Sequence, residues 1–246
     1  MASPLEQFVI KPLVPLHIGG VDISFTQSAL WMGLAVLAAT ALMTLSMRSR
    51  ALVPGRWQNI SEMLYEFVHG MARDNLGKEA HKYFPFVFSV FMIVLMGNLL
   101  GLVPYSFTYT SHIIVTGALA LGVFFLATLV GIVRHGTHFF SLFLPSGLPI
   151  ALAPLIVAIE VISYLSRPFS LSVRLFANMV AGHTMLKVFA GFSVAMAVSA
   201  LGTVMGILPM LVNVALIGLE LIIAFIQAYV FAILTCIYLK DAIELH

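Results

Sequence analysis

The sequence predicts an all-α polytopic membrane protein with about five membrane-embedded helices and one amphipathic helix at the membrane interface. Three observations indicate this fold class. Only 12 Lys and Arg and 10 Asp and Glu occur among 246 residues, whereas a soluble protein carries about a quarter charged residues. Hydrophobic residues make up 61% of the chain. Long uncharged runs separate the charged residues, and each run can hold one or two helical spans.

The same composition excludes several classes of protein. A soluble globule cannot bury this much apolar surface, so a soluble enzyme and a nucleic-acid-binding protein are both excluded. The net charge of +2 is too small to attract a polyanion. A single cysteine, Cys236, allows neither an internal disulfide nor a cysteine-based metal site. A metal at His135 and His138 would lack further ligands, and we expect no metal and no cofactor.

The first span is predicted from the N-terminal part of the chain. An N-terminal tail over residues 1–24 precedes it. The 25 residues between Asp22 and Arg48 carry no charge, and a span needs about 20 apolar residues. We place the first membrane helix at 25–47.

A helical hairpin is predicted next, over 83–134. The 51 residues between Lys82 and Arg134 are uncharged, which is enough for two spans. A proline and a cluster of polar residues at Val103–His112 predict the turn that separates them.

The C-terminal segment 149–241 predicts two further helices. They are longer than a bilayer requires, so we expect them to be strongly tilted or broken and to form a hairpin. The turn between them is left open among four candidates: Gly191, Gly202, Gly206 and Pro209.

Residues 57–78 differ from the spans because polar side chains alternate with apolar ones at helical spacing. This pattern predicts an amphipathic helix lying in the membrane interface, and a soluble connecting helix is the alternative. The apolar positions of the pattern are Trp57, Ile60, Leu64, Phe67 and Met71.

The basic residues predict the orientation of the chain. Half of all Lys and Arg lie between Arg48 and Lys82, and the positive-inside rule assigns such a connection to the cytoplasm. Five spans then place the N-terminus outside and the C-terminus in the cytoplasm.

Ionisable residues within the fourth span form a stripe. Each costs about 2.5–3.5 kcal/mol on insertion scales and is by default a functional candidate. Glu160, Arg167 and Arg174 are spaced by seven, which keeps them on one helix face. Ser170 and Asn178 lie four residues to either side of Arg174 and extend the same stripe.

The last span carries a second polar stripe. Asn213, Glu220 and Gln227 are spaced by seven, and Tyr238 returns to the same face eleven residues later. Two stripes that face one another would line a polar path across the membrane.

Simpler explanations exist for several of these side chains. Arg167 and Lys187 could reach the interface with their long side chains. Asn213 and Gln227 could be hydrogen-bonding links between helices. His183 lies about 180° from Arg174 on an ideal helix, so it would share the path only through a kink near Gly182 or a wide stripe.

Three segments resemble subunit a of F-type ATP synthases. The most specific is SRPFSLSVRLFANMVAGH at Ser166–His183, which contains Arg174 and Asn178. The second is GNLLGLVPYSFTYTSHI at Gly97–Ile113, and the third is IGLELIIAFIQAYVFAILTCIYL at Ile217–Leu239. The resemblance covers nearly the whole chain from the first span onward.

The resemblance implies a role for each stripe. Arg174 matches the essential arginine of the family, which faces the carboxylates of the c-ring and separates two offset half-channels for protons. Positions of the outer half-channel are matched by Asn178, His183, Glu220 and Gln227. Positions towards the cytoplasmic half-channel are matched by Glu160, Ser170 and Tyr238.

The resemblance also implies a location and partners. The chain would be a non-catalytic, proton-conducting subunit of an H⁺-transporting ATP synthase in a bacterial inner membrane. Its partners would be c-ring subunits, b-type subunits of the peripheral stalk and the lipid bilayer, with no nucleic acid. Many bacterial members have Glu and His where this chain has His183 and Glu220, so the pair stands in the order of mitochondrial members.

Two other classes of function compete with this one. A secondary transporter or channel with a polar site at midplane would show corresponding halves with interrupted helices, and these halves do not correspond. An intramembrane protease would carry a motif such as HExxH or a GxSG-type serine, and none is present.

Overall fold

The computed structural model describes most of the chain. The described residues are 7–15, 17–18, 21–22, 24–48, 51, 53–103, 106–143, 152–198 and 203–244. Six α-helices dominate them: α1 Gln27–Ser46, α2 Arg56–Leu76, α3 Ala80–Gly101, α4 Ile113–His135, α5 Ala153–Ala197 and α6 Thr203–Ile243. Short 3₁₀ segments occupy Gly77–Glu79, Tyr109–Ser111 and Gly136–Phe143.

The N-terminal tail contains two short antiparallel strand pairs. Strand β1 (Pro12–Val14) pairs with β4 (Phe25–Thr26), and β2 (His17–Ile18) pairs with β3 (Val21–Asp22). The first helix therefore begins at Gln27 rather than at Phe25. Thr26 fixes this start, because its Oγ1 accepts a hydrogen bond from the backbone N–H of Ala29 at 3.3 Å.

Helix α2 packs across α1, α3 and α6. Its Ser61 hydroxyl lies 2.6 Å from the Ser46 hydroxyl at the end of α1. The Phe67 ring contacts rings of α3 and α6, including Phe91 and Phe225. Much of the apolar face stays uncovered, since Trp57 is 69% exposed.

Helices α3 and α4 occupy the segment predicted as a hairpin, but each packs against α6 rather than closely against the other. The connection between them turns back onto α3, where the Tyr109 hydroxyl donates to the Ile93 carbonyl at 2.9 Å. Gly97 makes this approach possible, because a Cβ at that position would overlap the Tyr109 ring. Pro104 and Tyr105, within the predicted turn, lie outside the described residues.

The two last helices are much longer than a membrane core is thick. Helix α5 has 45 residues and is continuous through Pro168, so it spans about 67 Å against a core of about 30 Å. Helix α6 has 41 residues and packs antiparallel to α5. Of the candidate turn residues, Gly191, Gly206 and Pro209 lie within helices, and Gly202 lies outside the described residues.

Small residues allow the helices to pack closely. Ala224, Ala228, Ala232 and Cys236 follow one another at intervals of four along α6, and all are 0% exposed. In a bilayer, helices associate through van der Waals contact and hydrogen bonds, so small side chains at an interface are favourable. This stripe gives α6 a close contact surface in the centre of the bundle.

The described residues contain five helical stretches that are long and apolar enough to cross a membrane. They include α1, α3, α4, α5 and α6, and they confirm the predicted fold class. Large apolar side chains cover the outer surface of α5 and α6, as expected for helices in contact with lipid or other membrane proteins.

Candidate functional site

Helix α5 has two distinct faces around Arg174. Arg174 and Ser170 are exposed, and Asn178 is half-buried on the same stripe. On another face, Leu175 is buried, and Ser172 lies 3.1 Å from the Thr116 hydroxyl of α4. Packing against α4 therefore turns the Arg174 stripe outward.

Arg174 lacks a carboxylate partner in the described part of the chain. No Asp or Glu oxygen there lies within 4.0 Å of its guanidinium nitrogens. A guanidinium keeps its charge in proteins, so it cannot reduce the cost of an apolar surrounding by losing a proton. The geometry leaves Arg174 available to a negative group outside this chain.

His183 and Glu220 form a pair between α5 and α6. Nδ1 of His183 lies 3.3 Å from Oε1 of Glu220, and both side chains are almost fully buried. Helix α5 is continuous here, so His183 points into the bundle rather than along the exposed Arg174 stripe. On an ideal helix His183 and Arg174 point about 180° apart, which agrees with this arrangement.

The connection between α3 and α4 completes the surroundings of His183. Nε2 lies 2.9 Å from the Thr108 hydroxyl and 3.0 Å from the Gly101 carbonyl oxygen. Gly182 leaves open the space that the Glu220 carboxyl group occupies, because a Cβ at Gly182 would overlap that group.

The polar stripe of α6 faces the interior of the bundle. Gln227 is buried one heptad beyond Glu220, and the antiparallel register with α5 places it near the level of Asn178. Asn213 is half-buried, and its Oδ1 has no protein partner among the described residues. The amide of Asn98 on α3 donates to the Ala224 carbonyl at 3.4 Å and joins α3 to the same stripe.

A second polar cluster lies towards the N-terminal half of α5. Arg167 Nη1 binds Asp241 Oδ2 at 2.7 Å and lies against the rings of Tyr164 and Tyr238. Arg167 is thus held by α6 and does not simply extend to water.

Glu160 is a predicted site residue that lies apart from both clusters. It is half-buried on α5, 14 residues or about 21 Å along the helix from Arg174. None of the described ion pairs includes it.

Sequence reasoning missed several participants in these clusters. Thr108 belongs to the polar run from which only a turn was predicted. Gly101 contributes its backbone carbonyl oxygen, which no side-chain pattern in the sequence could indicate. Asp241 is absent from the predicted site residues, although its spacing of three from Tyr238 places both on one face. Among the described residues, no three His, Cys, Asp or Glu side chains are grouped so as to hold a metal ion.

The arrangement has the chemistry needed to move protons. A buried imidazole next to a carboxylate can exchange a proton between nitrogen and oxygen. An uncompensated guanidinium attracts carboxylates and repels cations. These groups occupy successive levels of α5 and α6, with Arg174 between the two clusters.

Comparison with known proteins places the chain in a family. The family model for the ATP synthase A chain matches residues 29–240. The chain is 57% identical to ATP synthase subunit a of Rhodospirillum rubrum over 246 residues, with both chains fully covered. It is 57% identical to the subunit a of Paramagnetospirillum magneticum, again with full coverage of both chains. With that of Parvibaculum lavamentivorans the identity is 56%, covering 98% of this chain and 94% of the relative. The chain therefore belongs to the family of ATP synthase subunit a, a multi-pass membrane protein of the bacterial enzyme.

Proposed function

We propose that Arg174 faces the carboxylates of a c-ring and separates two offset half-channels for protons. The observation that carries this proposal is the exposed position of Arg174 on α5 without a carboxylate partner in the described chain. Isolated charge in an apolar surrounding is costly, and a carboxylate from a neighbouring subunit would offset that cost.

The outer half-channel is proposed to run past Asn178, His183, Glu220 and Gln227. Support comes from the meeting of His183 and Glu220 across two helices and from the position of Gln227 on the same buried stripe. A His–Glu pair can accept a proton from water and pass it on, because an imidazole nitrogen and a carboxylate oxygen can each bind and release a proton.

The inner half-channel is proposed to use Ser170, Tyr238 and Glu160. Ser170 is exposed one turn before Arg174, and Tyr238 lies beside Arg167. Glu160 lies nearer the N-terminal end of α5, where its carboxylate can accept the released proton and pass it to water.

The proposed cycle follows from charge alone. A proton from the outer half-channel neutralises a ring carboxylate, which can then face lipid at tolerable cost. When the ring returns that carboxyl group to Arg174, the positive charge favours the ionised form and the proton leaves inward. Each proton that crosses carries about 2.3 kcal/mol per 100 mV, and the subunit conducts it without forming or breaking a covalent bond of a substrate.

A charge change at Arg174 tests the proposal. We expect Arg174→Ala to assemble into the complex, to make no ATP from an imposed gradient and to leak protons through the membrane sector. Arg174→Lys should restore part of the barrier but not the coupling, because a desolvated ammonium can lose its proton. Proton uptake and ATP synthesis are measured in parallel in vesicles.

The matched control is Lys187→Gln, which removes an exposed cation from the same helix. We expect it to retain coupling and a tight membrane. An assembled Arg174→Ala complex that makes ATP near the parent rate would contradict the proposal. Loss of assembly in Arg174→Ala would instead indicate a structural role for the guanidinium.

A further inference from the structure

Two acceptors surround one nitrogen of His183. The Gly101 carbonyl oxygen lies 3.0 Å from Nε2, and the Thr108 hydroxyl oxygen lies 2.9 Å from it. Both groups belong to the end of α3 and the connection that follows, not to α5 or α6. The connection between α3 and α4 therefore reaches the pair formed by His183 and Glu220.

The hydroxyl of Thr108 is oriented by a bond of its own. Its Oγ1 lies 3.2 Å from the Gly101 carbonyl oxygen, which can only accept, and a hydrogen placed in that bond points away from the imidazole. Its lone pairs are then directed at Nε2. A carbonyl oxygen can only accept a hydrogen bond, so both neighbours of Nε2 require a hydrogen on that nitrogen.

We infer that Gly101 and Thr108 fix His183 as the Nε2–H tautomer, so that Nδ1 alone exchanges the proton with Glu220. In the opposite tautomer, the lone pair of Nε2 would face the carbonyl lone pairs at 3.0 Å, which is repulsive. The hydrogen bond at one ring nitrogen determines which proton the other nitrogen carries. Thr108 is thus a positioning residue for the proton path.

The fixed tautomer gives the His183–Glu220 contact a definite chemistry. Nδ1 and Oε1 are 3.3 Å apart, which is close enough for one proton to pass between them. It is either on Nδ1, which gives an imidazolium beside a carboxylate, or on Oε1, which gives two neutral groups. Transfer between the two atoms creates no net charge in the bundle, and this inference rests on the proposed proton path.

Other titratable groups lie on the elements that surround the pair. Tyr109 in the connection donates its hydroxyl to Ile93, and Lys187 is exposed one turn further along α5. His112 stacks on Phe107 at the end of the connection. The groups that a pH profile must consider are therefore Glu220, Tyr109, His112 and Lys187.

Nitrogen NMR of the assembled membrane sector tests the tautomer directly. The complex is labelled with ¹⁵N-histidine, and the His183 signals are identified by difference from a His183→Asn sample. We expect Nε2 to show a protonated-nitrogen signal throughout the pH range of activity, while the Nδ1 signal alone changes with pH. A protonated Nδ1 together with an unprotonated Nε2 in the neutral state would overturn the inference.

Two substitutions at Thr108 separate positioning from packing. Thr108→Val keeps the shape but removes the acceptor, and we expect mixed tautomers and proton uptake reduced about fivefold, the change that one hydrogen bond typically carries. Thr108→Ser keeps the hydroxyl and should restore both readouts. The matched control is Thr116→Val, which removes a buried hydroxyl that bonds Ser172 and should leave the His183 signals unchanged.

The outcomes distinguish this inference from the proposed function. If Thr108→Val leaves the parent tautomer and flux unchanged, the inference fails whatever the role of His183. If the Nε2–H signal is present but His183→Asn conducts protons at the parent rate, the tautomer assignment stands and the proposed outer path fails. If Thr108→Val does not assemble, the NMR measurement on the parent complex still decides which tautomer His183 adopts.

Discussion

Glu220 is the one carboxylate among the described residues whose side chain is buried in the bundle, with 4% exposure. Its oxygens have no hydrogen-bond donor among the described protein atoms apart from the contact with His183. An unpaired carboxylate at this depth would cost several kcal/mol. Its burial is tolerable only if a proton is shared with His183 or water reaches it, and both conditions suit a site of proton passage.

The position of Glu220 depends on Gly182, which has no side chain. A Cβ at Gly182 would overlap Oε1 and would lie 2.8 Å from Cδ of Glu220. We expect Gly182→Ala to leave the helices assembled, because the end of a flexible side chain can move. The displaced carboxyl should nevertheless slow proton uptake about 10- to 100-fold, the cost of an ångström-scale misplacement.

Proton uptake into vesicles bearing the variant complex measures this effect. Gly218→Ala is the matched control, since a Cβ at Gly218 meets nothing within 4 Å. Equal uptake by the two variants would show that the position of Glu220 does not govern the rate.

At the scale of elements, the two faces of α5 predict different neighbours. Ser170 and Asn178 flank Arg174 on the outward stripe, whereas Ser172 is buried against α4. We expect cysteines at Ser170 and Asn178 to crosslink to the c subunit, and a cysteine at Ser172 not to. The one native cysteine, Cys236, is fully buried and adds little background.

Disulfide or short-reagent crosslinking of assembled complexes, followed by gel separation, provides the measurement. Crosslinking from Ser172 as strong as from Ser170 would contradict the outward orientation of the stripe.

The connection between α3 and α4 should respond to acid. Burial lowers the pKa of His112 below its usual 6.5, so the folded chain resists charging this ring. Above pH 6.5 the ring is neutral in both states. As the pH falls below that value, the unfolded state takes up the proton first, and the free energy of unfolding decreases.

We therefore expect the melting temperature of the detergent-solubilised membrane sector to fall between pH 7 and pH 5. His112→Gln should reduce the slope, because it removes the group that titrates. A slope identical to that of the parent would mean that other groups cause the acid response.

At the scale of the whole molecule, the sequence predicts on which side of the membrane each end of the chain lies. The basic residues between Arg48 and Lys82 predict that the α1–α3 connection is cytoplasmic, which puts the N-terminus outside and the C-terminus inside. Tags on each end, tested for protease access in vesicles of known orientation, should be cleaved from opposite sides. Cleavage of both tags from the same side would exclude an odd number of spans.

The location of helix α2 relative to the membrane also concerns the whole molecule. Its uncovered apolar residues, such as Trp57 and Ile60, together with its packing on α3 and α6, support the proposal that it lies in the cytoplasmic interface. It would then connect the peripheral part of the complex to the helices that are proposed to carry the proton path. The b-type subunits of the peripheral stalk are proposed partners on the same family grounds.

The sequence alone determined the fold class and the stripe around Arg174. Both depend on local properties: apolar runs of about 20 residues specify spans, and spacings of four and seven specify one face of a helix. Arg174, Ser170 and Asn178 could be grouped because a single helix fixes their relative directions.

Only the tertiary structure decided which polar groups meet. Thr108 and His183 are 75 positions apart, and Arg167 and Asp241 are 74 apart, so no local period relates them. Their contacts follow from how α3, α5 and α6 pack, and that packing depends on small residues such as Ala224 and Ala228, whose importance is invisible in hydropathy. A backbone carbonyl such as that of Gly101 has the same chemistry at every position, so only the folded chain could assign it to His183.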